Sequence, residues 1–478
     1  MGTGSAGQGG RGLAALLAVA LACGFLGCAR AASERTVILI SVDTLRADAL
    51  GGFGAAPDAS QNLDAFLSEA VRFTNAYAPE PHTLPSHATL LTSLHPVSHG
   101  VAGRLQGGIE LAAELPTLAE VLKAEGFATA AFVNGGFLHP RFGLDRGFET
   151  YDYFSDLDTG GKEAEFGRTA AETNTRVFEW LDRRADQKAF LFVHYFDVHS
   201  DAGALPYDSP ARYRSHVPEG LRWGSDGGSQ FLSSLNQTGD RLPGDRLDQL
   251  RALYAAGVRY TDDRLGELFR GLKERKRYDD ALILLVADHG EEFQEHGGFL
   301  HNQLYEETLR IPMAIRLPAD SGSGGMAVPA PVALADVAPT VLDLLGVAAP
   351  PGLQGKSLLP LIRGERSGES RRLFFTSRKS GTMALLDGRW KLIYTLRTRN
   401  AELYDLEADP DERNDLSDSA TDRTRESIER LLAWYRAAPR PFHGSQVQRV
   451  KLDDATTRQL RALGYAEGAP AGGRPDGG

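Results

Sequence analysis

Four near-continuous apolar runs punctuate the chain: Thr36–Val42, Thr129–Val133, Phe190–Phe196 and Leu282–Ala287. Runs with so little alternation predict strands of a parallel sheet that is covered on both faces. Between them the apolar positions change to helical spacing over Asn62–Arg72, Thr117–Glu125, Glu163–Arg184 and Arg246–Glu274. In the last stretch Leu250, Leu253, Tyr254, Val258, Leu265, Leu268 and Leu272 fall on one stripe. Strand and helix in alternation imply right-handed crossovers, and so an α/β fold: a three-layer α/β/α sandwich around a mostly parallel sheet. Residues 201–245, rich in Gly, Ser, Asp and Pro, break the rhythm and predict a surface excursion over one edge.

From about Glu365 the texture changes to short strand-like pieces at Leu373–Thr376, Met383–Leu386 and Lys391–Tyr394. A helix over Thr421–Arg436 follows, then a second over Asp453–Leu463. The pattern predicts a smaller C-terminal α+β subdomain. The expected division is a leader over 1–27, a main domain over 36–364, the subdomain over 365–465 and a disordered Gly/Pro-rich tail over 466–478.

Composition narrows the classes. With 478 residues, 42% hydrophobic and 24% charged, the chain can bury a large core and is not disordered. Lys plus Arg number 52 and Asp plus Glu 63, a net charge of −11 that argues against a nucleic-acid partner. The 2 cysteines, Cys23 and Cys28, both lie in the first 28 residues. The folded body therefore has no disulfide, thiolate metal site or cysteine nucleophile. The apolar run Leu13–Leu26 is too short for an ordinary membrane span and sits where a secretory h-region belongs. Its end, Phe25-Leu26-Gly27-Cys28, resembles the bacterial lipoprotein signal, which implies export and a lipid on Cys28 facing the periplasm or cell surface. Cleavage within Ala29–Ala32, giving a secreted protein, and an uncleaved anchor are the alternatives. The lipid is the expected membrane contact.

Three of the predicted strands run straight into an aspartate: Asp43, Asp197 and Asp288. In open parallel sheets the ligand crevice lies at the carboxyl ends of the strands. One such aspartate alone is ordinarily a turn cap. Three together, one followed by His289, repel one another unless they share a cation, and this favours a metal site. Carboxylates with an imidazole suit zinc or manganese, with calcium and magnesium as the alternatives. Thr83 precedes a proline placed for the first turn of a helix, where free N–H groups favour an anion. It is either a helix cap or, beside a divalent cation, a nucleophile.

Thr83-Leu84-Pro85-Ser86-His87 through Leu91-Thr92-Ser93 resembles the first sulfatase signature. Asp288-His289-Gly290-Glu291, Glu295-His296-Gly297, Tyr305-Glu306-Glu307 and Arg310-Ile311-Pro312 resemble the second. Asp336–Thr340, Gly355–Pro360, Glu402–Leu406 and Asp409-Pro410 continue the match in the family's order, over about residues 36–465. The resemblance implies the alkaline-phosphatase-superfamily fold and a divalent metal held by Asp43, Asp288 and His289, with Thr83 at the nucleophile position. Thr44 stands where a second Asp ligand is usual, and Thr83 replaces the Cys or Ser that becomes formylglycine. His87 replaces the supporting Arg, and His301 stands at a sulfate-contacting Lys. His199 fits an anion-contacting His, and Asn134 lies near the place of an absent Gly-Lys-Trp-His motif.

The expected catalytic set is therefore Thr83, His199 and His301, with His87, Asn134, His199 and His301 as substrate contacts. Asp43, Thr83, Asp288 and His289 are the expected metal ligands, with a second metal near Asp197 as an alternative. His296 is expected behind the site, and His194 as a satisfied core residue. A threonine ester cannot collapse to an aldehyde, so water must attack the sulfur or phosphorus. This favours a phosphate mono- or diester, hydrolysed or transferred, from a small-molecule, lipid-headgroup or glycan substrate. The alternatives are a sulfatase for sulfated glycans or aryl sulfates and an inactive anion-binding protein.

Overall fold

The computed structural model describes residues 36–440 apart from 57–58, 103–107, 155–167, 186, 201–204, 216, 219–220, 222, 224–227, 320–323 and 366–370, together with 1–2 and 449–450. Residues 3–35, with most of the expected leader and both Cys23 and Cys28, the helix at Asp453–Leu463 and the 466–478 tail lie outside the described residues. Among the described residues no helix is long and apolar enough to cross a membrane.

The main sheet has 9 strands. They are β1 (Val37–Val42), β2 (Val71–Tyr77), β3 (Ala128–Asn134), β4 (Thr150–Phe154), β5 (Ala189–Tyr195), β6 (Leu282–Ala287), β7 (Arg310–Arg316), β8 (Ala327–Val328) and β9 (Val332–Ala333). Their order is β8-β2-β7-β6-β1-β5-β3-β4, with β9 also on β2. β7 alone among them runs against its neighbours β2 and β6. The four apolar runs became β1, β3, β5 and β6, every residue of which is buried, as two covered faces require.

Helices α1 (Gln61–Ser68), α2 (Thr83–Thr92), α3 (Leu118–Ala124), α4 (Ala170–Asp182), α5 (Gly228–Thr238), α6 (Gly244–Glu274) and α7 (Val337–Leu345) accompany the sheet. α1 and α4 both pack on α6, whereas α3 and α7 both pack on α2, giving the two outer layers. The expected helix over Asn62–Arg72 stops at Ser68, because Val71 and Arg72 already belong to β2. That expected over Glu163–Arg184 begins at Ala170: Thr169 and Glu172 close a capping box there, and 163–167 lie outside the described residues. Residues 201–245 are more than a surface excursion. Tyr207 and Trp223 are buried, and Tyr207 packs edge-on against Tyr254 of α6 at 5.6 Å.

The C-terminal sheet is antiparallel, β10 (Arg372–Ser377), β11 (Thr382–Asp387), β12 (Trp390–Thr395) and β13 (Asn400–Asp405) in that order, followed by α8 (Thr421–Ala437). Side chains alternate between its faces. Met383, Leu385, Leu392 and Leu403 meet Leu431 of α8. Phe375, Leu386 and Ile393 meet Tyr77, Leu304 and Leu309 of the main domain.

Candidate active site

β6 and β5 flank β1 in register, with Val42 level with both Ala287 and Tyr195. Asp43 and Asp288 therefore leave the sheet side by side, and both are fully buried. The Asp288 Oδ1 accepts from the main-chain N–H groups of Thr44 (3.2 Å) and His289 (3.0 Å). Thr44 holds a left-handed conformation (φ 54°), costly for a β-branched residue and a mark of a constrained site. His289 donates from Nδ1 to the Gly290 carbonyl (2.9 Å), which turns the Nε2 lone pair toward the acids. That Nε2 lies 3.4 Å from Asp288 Oδ2 and 3.7 Å from Asp43 Oδ1. Gly290 is required where it stands, since a Cβ there would lie 2.0 Å from the Glu307 carbonyl.

Thr83 opens the buried helix α2, and its Oγ1 is 3.4 Å from both Asp43 Oδ2 and His289 Nε2. The ligand atoms of Asp43, Asp288 and His289 lie within 4.8 Å of one another. Asp43 Oδ1 and Asp288 Oδ2 have no hydrogen-bond partner, and no Lys or Arg pairs with either acid among the described residues. Burial first, and the neighbouring Asp43 second, push the Asp288 carboxyl above its ordinary range. Paired acids with bare oxygens in a dry site are costly without a shared cation, so these donors fit a divalent metal.

Asp197, the third strand-end acid, does not join them. β5 ends at Tyr195, so Phe196 is the residue level with Asp43, and Asp197 faces α4, where its Oδ1 accepts from the Ala170 N–H at 3.0 Å. Burial raises its carboxyl to about 6. Among the described residues no cluster of ligand atoms includes Asp197, so the second metal expected there has no donor set.

His194, expected as a satisfied core residue, is buried but unsatisfied. Neither ring nitrogen has a hydrogen-bond partner, and Nε2 lies 3.3 Å from Asp43 Oδ2. With His87 and Asp288 it forms a second group of converging ligand atoms. His87 sits beneath Thr83, donating from Nδ1 to the Thr83 carbonyl (2.8 Å) and accepting at Nε2 from the Ser41 hydroxyl (2.9 Å). Burial lowers both His87 and His194 to about 4, leaving them neutral at pH 7. Asn134 ends β3 and donates to the His194 carbonyl at 3.1 Å, while its Oδ1 has no partner.

A wall of imidazoles faces this floor. The His301 ring centre is 4.4 Å from that of His289, 5.4 Å from His199 and 5.8 Å from His82. His301 Nδ1 lies 3.3 Å from Glu291 Oε1, and His199 donates from Nδ1 to the Ser200 carbonyl (2.6 Å), contacts that orient the two rings. Burial lowers the pKa of His82, His199 and His301 alike. His82, Glu291 and His194 were not among the site residues expected from the sequence. Their signal was adjacency to Thr83, His289 and the end of β5.

His296 stacks on Tyr305 at 3.5 Å, outside the basin, and with Glu307 and Glu412 makes a third group of ligand atoms. That group already has a cation in the protein: buried Lys391 is 2.8 Å from Glu412 and 2.9 Å from Glu306.

The sulfatase family model matches residues 35–347, and the model of the N-sulphoglucosamine sulphohydrolase C-terminal region matches 294–436. A choline-sulfatase of Rhizobium meliloti (strain 1021) is 25% identical over 450 residues, covering 80% of this chain and 82% of its own. Among solved structures, the phosphonate monoester hydrolase of Agrobacterium radiobacter superposes with a TM-score of 0.65 at 20% identity, over 84% of this chain and 95% of that one. A protein solved with its substrate D-glucosamine-2-N,6-O-disulfate superposes with a TM-score of 0.66 at 20% identity, over 84% and 98%. The chain therefore belongs to the sulfatase family, a branch of the alkaline-phosphatase superfamily of metal-dependent ester hydrolases.

Proposed function

We propose that the protein hydrolyses a sulfate ester with Thr83 as its nucleophile. The observation that carries this reading is the Thr83 hydroxyl at a helix N-terminus, 3.4 Å from both Asp43 and His289 above a buried acid pair. Sulfate, rather than the phosphate that a threonine nucleophile favours in the sequence, is supported by both family models and by relatives such as the choline-sulfatase. A phosphate or phosphonate ester is the second reading. It is favoured by Thr83 itself and by the likeness to the phosphonate monoester hydrolase.

Asp43, Asp288 and His289 would hold the cation, for which zinc or manganese suits the mixed donors. A divalent ion bound there supplies Lewis acidity to the hydroxyl and offsets charge on the ester oxygens. The chain's own residues do the rest. The N-terminus of α2 orients the anionic ester. Thr83 gives its proton to Asp43 Oδ2, and its Oγ1 bonds to sulfur as the S–O bond to the alcohol breaks. His301 or His199, whose pKa the bound anion raises, passes a proton to the departing alkoxide. Water, giving a proton back to that imidazole, then attacks sulfur as the S–Oγ1 bond breaks, and Asp43 returns its proton to Thr83. A lipid-anchored or secreted location, read from the leader, would place the reaction outside the cytoplasm.

Turnover of 4-nitrophenyl sulfate, 4-nitrophenyl phosphate and bis(4-nitrophenyl) phosphate, with metal content measured in parallel, tests the assignment. Sulfate turnover is expected to exceed the other two and to fall by about 10³-fold or more in Thr83→Ala. Full activity in that variant would remove the nucleophile. Preference for a phosphate would select the second reading, and no turnover with anion binding intact would leave a binding protein.

A further inference from the structure

Where the main domain meets the C-terminal sheet, outside the basin, three buried ligand atoms converge. His296 lies on the loop after β6, Glu307 on the helical turn Glu306–Leu309 that leads into β7, and Glu412 on the segment that follows β13. Their side chains are 9%, 8% and 0% exposed. His296 Nε2, Glu307 Oε1 and Glu412 Oε1 lie within 4.8 Å of one another. His296 Nε2 and Glu307 Oε1 have no hydrogen-bond partner, and 3.6 Å separates them. That is too long for a hydrogen bond, yet close to the spacing of about 3.4 Å between two ligands of a tetrahedral ion.

Lys391 neutralises only part of this group. Its ammonium reaches Glu306 (2.9 Å) and Glu412 Oε1 (2.8 Å), and no Lys or Arg pairs with Glu307 among the described residues. The other acids nearby have their own partners: Glu295 pairs with Arg46 at 2.8 Å, and Glu292 Oε1 accepts from the N–H groups of His296 (3.1 Å) and Gly298 (2.8 Å). Arg413 is exposed and donates to the Glu295 carbonyl. Three carboxylates against one buried ammonium leave an excess that matches the charge of one divalent ion.

The donors are also fixed in place. The His296 ring stacks on Tyr305 at 3.5 Å, and the Tyr305 hydroxyl donates to Glu402 of β13 at 2.7 Å. Glu412 Oε2 accepts from the Glu306 N–H at 2.6 Å, which leaves Oε1 facing Lys391 and the other two ligand atoms.

We propose that His296, Glu307 and Glu412 bind a second divalent cation, of the zinc or manganese type, at the junction of the two domains. Two carboxylates and an imidazole are donors that such ions take, with water completing the shell. Glu412 belongs to the C-terminal subdomain, and the Glu307 carbonyl accepts from the Glu291 N–H at 3.0 Å. The ion therefore ties the subdomain to the segment that carries His289. It takes no part in the ester chemistry above and stands whether or not that reading holds.

Titration of the full, chelator-treated protein with manganese chloride tests this, with free Mn²⁺ counted by electron paramagnetic resonance. Wild type is expected to bind two ions per chain, the junction ion about a hundredfold more weakly because the Lys391 ammonium stands beside one of its ligands. His296→Ala and Glu307→Gln should each abolish the weaker class and keep the tighter one, and the retained class reports that the variant is folded. Asp43→Asn should weaken the tighter class and leave the weaker one. Loss of all binding in Asp43→Asn, or a wild-type ion count that neither junction substitution lowers, overturns the proposal. A single ion that is lost in both junction variants but kept in Asp43→Asn would support this site and remove the one at the acid pair.

Discussion

The acid pair makes an unusual demand: Asp43→Asn should stabilise the metal-free protein while weakening the metal-loaded one. The ligand atoms of Asp43, Asp288 and His289 lie within 4.8 Å of one another, and both acids are fully buried. Two unit charges at that spacing repel by about 3.5 kcal/mol at an effective dielectric near 20. Burial and the neighbouring Asp43 raise the Asp288 pKa, which relieves part of that cost by protonation, so the effect grows as pH rises. A stabilisation of roughly 1–3 kcal/mol is expected for Asp43→Asn in chelator at pH 8, and less at pH 5. With metal at a hundredfold excess over Kd, wild type should gain about 2.7 kcal/mol and the variant much less. Urea unfolding of both proteins, with chelator and with added manganese or zinc, reads all four stabilities. A variant that is less stable than wild type in chelator, or that gains as much from metal, would refute the shared-cation account.

Three further outcomes follow from buried charge elsewhere. Lys391→Met should cost about 3–5 kcal/mol at pH 7.5, since it strands Glu306 and Glu412. The penalty should shrink at pH 5 as Glu412, raised to about 7 mainly by burial, takes its proton; equal penalties at both pH values in denaturant unfolding would contradict this. Burial likewise raises Glu80 to about 7 and Glu307 to about 8. Raised carboxyls stabilise the fold below their unfolded pKa and lose that contribution as pH rises through the folded value. Metal-free protein should therefore lose stability from pH 6.5 to 8, and Glu80→Gln should flatten the slope in a pH series of melts. His87 and His194, lowered to about 4, work on the acid side: their contribution is present above 6.5 and lost as pH falls toward 4. Replacing His194 with Gln should reduce acid sensitivity over that window, and an unchanged acid limb of the melting curve would count against it.

How far the sequence revealed the fold depends on how each strand is buried. β1, β3, β5 and β6 are covered on both faces, so their residues are uniformly apolar and legible. β2 alternates buried and half-buried positions, and Val71 and Arg72 were absorbed into the preceding helix. β7 was hidden by Pro312 at a register shift and by Arg316, buried against the Tyr278 carbonyl at 2.8 Å. β4 is half-buried along its length at the sheet's edge, with no continuous apolar run to betray it.

At the site the same logic operates one residue at a time. The predicted strand ends at Asp43 and Asp288 were right, and parallel register did the rest. The end of β5 was placed one residue late, and side chains along a strand alternate, so one position decides which groups meet. That slip gave the metal Asp197, which caps α4, and hid His194, which lies against Asp43. Strand-end chemistry is thus readable from sequence only as accurately as the strand end itself. Glu80 lies beyond that reach for a different reason. Its partners are on a hairpin almost 300 positions along the chain, Thr376 and Arg378, and no local pattern encodes them. The reacting centre follows from the sheet and was legible with it. How the second sheet docks beside the loop that carries Thr83 is shown only by the folded molecule.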